Sequence, residues 1–108
     1  MAGMIAPLAA DKLDAWEAWI AELSGARRAE YEDMNERYGL TDHRAYLQPM
    51  PDGNYVVLVI HEGPGGDDFL PRMIASDNEF DRWFVSAVVD IHGIDTSGTM
   101  PPMAERRL

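Results

Sequence analysis

The sequence predicts an α+β fold, and three observations predict it. Residues 76–95, SDNEFDRWFVSAVVDIHGID, carry Phe80, Phe84, Val88 and Ile91 at helical spacing, with Trp83 and Ala87 widening the stripe. Two strand-like runs, residues 43–50 and 54–61, flank a Pro51-Asp52-Gly53 turn, which is hairpin chemistry. The elements follow in the order strand, helix, hairpin, helix, with a weak candidate strand at the end. That is the split βαβ order of a ferredoxin-like domain, in which helices cover one face of an antiparallel sheet.

Length and composition bound what such a chain can be. At 108 residues it is expected to form one domain that buries its own core. Cysteine is absent, which excludes a disulfide framework, a thiolate nucleophile and thiolate metal ligands. The net charge of −10 repels phosphate, so neither nucleic acid nor an anionic membrane surface is an expected partner. Residues 1–10 are apolar but too short to span a bilayer and lack the basic start of a signal peptide. A soluble, cytoplasmic protein is expected.

Taken in order, residues 3–8 read as a first strand that Pro7 confines to an edge or a strand end. Asp11 is placed to cap a helix whose stripe is Leu13, Trp16, Ile20 and Leu23, with Trp19 close by. Ser24-Gly25 interrupts it. A second helical piece over 26–38 is marked by Tyr31 and Met34 and stopped by Gly39. The strand at 54–61 is apolar on both faces, since Val57 and Val59 oppose Val56, Leu58 and Ile60. Helices cover one face. The other calls for a partner, and stacking of two sheets through Val57 and Val59 into a homodimer is expected. Residues 63–66, GPGG, lack the Lys-Ser/Thr of a phosphate-binding loop and are expected to be a flexible connection. A short helix over 67–75 tolerates Pro71 only in its first turn. Ser76 or Asp77 caps the long helix, with Glu79 at the capping-box offset from Ser76, and Gly93 stops it. Residues 96–102 are loop chemistry; 103–108 form the weak last strand.

The candidate chemistry gathers on histidines. His92, directly before Gly93, is either a general acid/base or a helix-end residue bonding the last carbonyls. Asp95 is its expected carboxylate partner, because Asp90, two residues back on a helix, does not face it. His61 shares a strand face with Tyr55, Val57 and Val59; it is half-exposed at the strand end, or with Tyr55 it anchors a ligand if that face lines a cavity. His43 is expected to be solvated. The three histidines, 18 and 31 residues apart, form no local ligand motif, so neither metal nor other cofactor is expected. Arg82 either pairs with Glu79 on the helix surface or holds a ligand carboxylate. Trp83, Tyr46 and Tyr55 complete the candidate substrate-binding set.

The segments Lys12-Leu13-Asp14-Ala15-Trp16 and Tyr46-Leu47-Gln48, the strand 55–60, and above all ASDNEFDRWF and IHGID resemble small bacterial proteins of the dimeric α/β-barrel superfamily. The resemblance covers the chain to about Asp95. It implies a ferredoxin-like domain, a homodimer forming a dimeric α/β barrel, and a pocket between each sheet and its helices. The wider superfamily includes cofactor-free monooxygenases, haem-degrading enzymes, chlorite dismutase-like proteins, polyketide cyclases and stress-response proteins. None of their catalytic motifs stands in this sequence. The functional expectation has two forms. One is a cofactor-independent cyclase, isomerase or monooxygenase using His92, His61 and Asp95 on an apolar, carbonyl-bearing small molecule. The other is a non-catalytic homodimer that binds a ligand or a protein.

Overall fold

The computed structural model describes residues 2–94, 104 and 106–108. Strand β1 (Ala2–Leu8) leads through a 3-10 turn (Ala10–Lys12) into helix α1 (Leu13–Ser24) and helix α2 (Arg28–Arg37). Strands β2 (Asp42–Pro49) and β3 (Tyr55–Glu62) form the hairpin, followed by helices α3 (Phe69–Ile74) and α4 (Glu79–His92). The open antiparallel sheet has the order β1-β3-β2. Strand β3 pairs with both neighbours, so β1 and β2, joined through α1 and α2, run parallel on either side of it. Pro7 stands opposite Val56 near the end of an outer strand, where its missing N–H is tolerated. Of the expected last strand, Ala104 bridges antiparallel to Gly3; Met103 and residue 105 lie outside the described residues, as does the expected loop at 96–102.

Side-chain alternation along the strands decides which face the helices take. Leu8 and Val57 are buried against Trp16, Trp19, Met34, Phe69 and Phe84. The opposite face is open: Ile5 is 65% exposed, Tyr46 50% and Leu58 37%. This overturns the expectation that Val57 and Val59 present a dimer surface. Val57 lies wholly within the helix-covered core and Val59 packs against it. A partner on the uncovered face would meet Ile5, Tyr46 and Leu58.

The helix ends show where local chemistry rules and where tertiary contacts replace it. Gly93 stops α4 at φ 65°, and Pro71 sits in the first turn of α3, both as the sequence requires. The cap of α4 is Asn78 rather than Ser76 or Asp77, its side chain accepting from Asp81 N at 3.1 Å. Ser76 is drawn elsewhere: its hydroxyl accepts from Asn78 N at 3.1 Å and donates to Asp81 at 2.8 Å. Asp11 caps nothing, since it lies inside the 3-10 turn, and Asn54 Oδ1 from the hairpin accepts Ala10 N at 3.0 Å instead.

The fully buried Asp81 ties the helix layer together. Arg37 of α2 donates to it twice, at 3.0 and 2.7 Å, and the Tyr38 hydroxyl donates at 2.7 Å. Burial pushes its carboxyl up, but the hydrogen bonds from Arg37, Tyr38 and Ser76 outweigh that and hold it below the usual value. A buried carboxylate so satisfied fixes α2 against α4; loss of one partner of such a pair costs about 3–5 kcal/mol.

The GPGG segment is packed rather than loose. Gly65 and Gly66 are buried, and Gly65 N donates to Gly39 O at 3.3 Å. A Cβ on Gly65 would lie 1.7 Å from the Tyr38 carbonyl oxygen, so two backbones approach where only glycine fits. Gly65→Ala is therefore expected to lower stability by at least about 3 kcal/mol. Gly53→Ala, strained at φ 88° but meeting nothing within 4 Å, is expected to cost about 1 kcal/mol. Thermal unfolding of both variants measures the difference, and equal effects would contradict the close packing of this loop.

Candidate functional site

Between the covered sheet face and the helices lies a cavity of about 80 Å³. Its lining is mostly apolar, with Trp16, Trp19, Val57, Val59 and Phe84 prominent, and all three histidines of the chain line it. The register explains two of them. His43 and His61 stand directly opposite across β2 and β3, so their side chains share the helix-facing side. Their rings meet edge to face with centroids 4.8 Å apart. Phe69, which follows the GPGG segment, packs against both, at 4.6 Å from His61 and 5.4 Å from His43.

Two of the imidazoles have hydrogen-bond partners and the third has none at its buried nitrogen among the described residues. His43 Nδ1 donates to Asn35 Oδ1 of α2 at 3.2 Å, while the Tyr31 hydroxyl donates to the His43 carbonyl at 3.4 Å. His92 Nδ1 donates to the Pro7 carbonyl of β1 at 2.8 Å. A carbonyl only accepts, so Nδ1 carries the proton and Nε2 is left as an acceptor. The helix end is thus tied across to a strand and not to its own last carbonyls. His61, 2% exposed, has no hydrogen-bond partner at Nδ1, and Trp19 Nε1 is likewise buried without one among the described residues.

Burial governs the charge of this cluster. It pushes the His43 imidazole down to about 3, with repulsion from a protonated His61 as the lesser cause. Burial alone takes His61 down to about 4. His92 is lowered by burial against the opposing pull of the Pro7 bond. All three are neutral at pH 7. Neutral imidazoles here accept and donate hydrogen bonds well, but a base whose conjugate acid ionises near 3 or 4 abstracts protons poorly at neutral pH.

Several expected site residues stand elsewhere. Tyr46 projects from the open face of the sheet. Tyr55 shares the face of His61 but starts the strand, six residues and about 20 Å away. Arg82 is exposed and makes no ion pair with Glu79 among the described residues. Trp83 packs between Trp19 and Phe80, with the Arg27 guanidinium 4.1 Å over its ring, and does not line the cavity. Asp95 lies outside the described residues. His61 is buried instead of half-exposed, and His43 joins the cavity instead of standing in solvent. The sequence held a signal for that pair: each is nine residues from Asp52, the middle of the hairpin turn, and residues equidistant from such a turn face each other. Among the described residues no three His, Asp or Glu side chains are grouped to hold a metal ion, and no helix is long and apolar enough to cross a membrane. No family model, curated protein or solved structure matches the chain.

The depressed imidazoles set a pH dependence. Unfolded histidines take up protons near pH 6.5, whereas folded His61 and His43 resist until about 4 and 3. Between those values the unfolded chain holds more protons, so acidification favours it; stability is full above about pH 6.5 and falls until about pH 3–4. At pH 5, His61→Leu is expected to flatten the slope of unfolding free energy against pH by roughly 1 kcal/mol per pH unit. Denaturant titrations across pH 4–7 measure it. An unchanged slope would mean that His61 is solvated.

Proposed function

We propose that the protein is a small-molecule-binding homodimer with the ferredoxin-like arrangement of a dimeric α/β barrel. The single observation behind this reading is the meeting of three neutral imidazoles, two with partners and one without, on one largely apolar cavity beneath the helices. Pockets that orient small ligands have this composition: apolar walls and a few placed polar groups. Cavity size limits what is enclosed. An apolar cavity of about 150 Å³ accepts benzene, so about 80 Å³ takes a group of roughly three or four heavy atoms. The remainder of a larger ligand rests beside the exposed lining residues Arg44 and Ala45.

Dimerisation is supported by the uncovered sheet face, where exposed Ile5, Tyr46 and Leu58 sit among half-buried Val56 and Ile60. The strand order, with β3 inserted between parallel β1 and β2 and Ala104 meeting the far side of β1, fits the ferredoxin-like layout. A second reading, cofactor-independent proton transfer, is favoured by one observation. The Pro7 carbonyl fixes the His92 tautomer and leaves Nε2 free to accept a proton.

Two measurements test the proposal. Isobutene, with four heavy atoms, is expected to cause saturable NMR shifts of the Trp19 indole N–H, and Ala45→Phe at the exposed part of the lining is expected to abolish them. Shifts that rise linearly without saturation, or that persist in Ala45→Phe, would sink ligand binding in this cavity. In sedimentation, Leu58→Glu is expected to turn a dimer into monomers while leaving the fold intact; an unaltered dimer would remove the open face as the interface.

A further inference from the structure

The cavity wall carries two buried side-chain nitrogens, Trp19 Nε1 and His61 Nδ1, that have no hydrogen-bond partner among the described residues. Both residues are nine-tenths or more buried. Indole N–H is a donor only, so whatever pairs with Trp19 must be an acceptor. An imidazole nitrogen adapts to either role by choice of tautomer. A charged ligand finds no counter-ion here. Arg44 is the one charged residue on the described lining, and it is already held by Asp42 at 2.9 Å, Glu62 at 3.3 Å and the Tyr46 hydroxyl at 3.3 Å. The remaining polar groups on the wall are neutral, and an ion moved among apolar walls without a partner keeps its full desolvation cost.

We propose that Trp19 is a ligand-binding residue, and that the enclosed end of the ligand is a small neutral carbonyl group, of a ketone or an amide, which accepts the Trp19 Nε1–H hydrogen bond. The amide form also offers an N–H to His61 Nδ1 when that nitrogen is the acceptor. Carboxylates are excluded by charge, and hydrocarbons enter but leave both nitrogens unpaired. This rests on the cavity being a binding site at all, and it adds which chemistry the site selects.

Four planar probes of four heavy atoms separate the two claims: acetone, acetamide, acetate and isobutene. Their dissociation constants follow from NMR titration of the Trp19 indole N–H at pH 7. Acetone and acetamide are expected to bind roughly five- to tenfold more tightly than isobutene, the ordinary gain from one added hydrogen bond. Acetate is expected not to bind. Trp19→Phe keeps an aromatic ring and removes the donor; read from the indole N–H of Trp16, which also lines the cavity, the acetone-to-isobutene ratio should fall to about one, whereas a packing role alone would weaken both probes and leave the ratio unchanged. If that variant does not fold, the ratio in the wild-type protein decides. Isobutene binding as tightly as acetone, or acetate binding as well as acetamide, overturns the carbonyl assignment while the cavity remains a binding site. Failure of all four probes overturns both.

Discussion

A strand paired along both edges cannot slip by one residue without exchanging its two faces, and β3 is that strand here. Its register directs Tyr55, Val57, Val59 and His61 toward the helices and leaves Val56, Leu58 and Ile60 on the other side. A one-residue slip would drive Leu58 and Ile60 into the core and put His61 on the open face. The same register brings His43 against His61 and turns Tyr46 outward. Cavity and uncovered face are therefore two consequences of one pairing.

The helix layer closes over that face through a buried ion pair and a backbone contact. Asp81 gathers Arg37, Tyr38 and Ser76 around one fully satisfied carboxylate. Gly65 lets the segment after β3 lie against the backbone at Tyr38, which delivers Phe69 to the two imidazoles. Neither contact lines the cavity. Both fix the distance between helices and sheet, and that distance sets the size of the space left beneath.

The sequence made the elements legible because their signals are local. The stripe of α4, its glycine stop, the Pro-Asp-Gly turn and the first-turn position of Pro71 all act within a few residues, and all stand as read. What misled were places where a distant partner outbids a neighbour. Asn54 takes the capping duty expected of Asp11, and Asp81 draws Ser76 away from the cap. GPGG reads as loose because the backbone it packs against, at Tyr38 and Gly39, lies about 26 residues earlier in the chain. The site is half legible: His61 and His92 stand out in the sequence, whereas His43 reads as a solvated residue at a strand start, and Trp19, a core residue by spacing, gives no sign that its N–H lacks a partner. Alternation also left open which face of β3 the helices would take, since both are apolar.

Three imidazoles facing one apolar space is the claim on which the functional reading stands, and the protonation of those rings tests it without any ligand. Long-range proton–nitrogen spectra of the histidine side chains, recorded from pH 7 to pH 5, report each tautomer directly. The His43 and His61 rings should be neutral throughout that range, and neutral His92 should carry its proton at Nδ1. A His43 or His61 ring that titrates near pH 6.5, as a solvated imidazole does, would contradict the cavity.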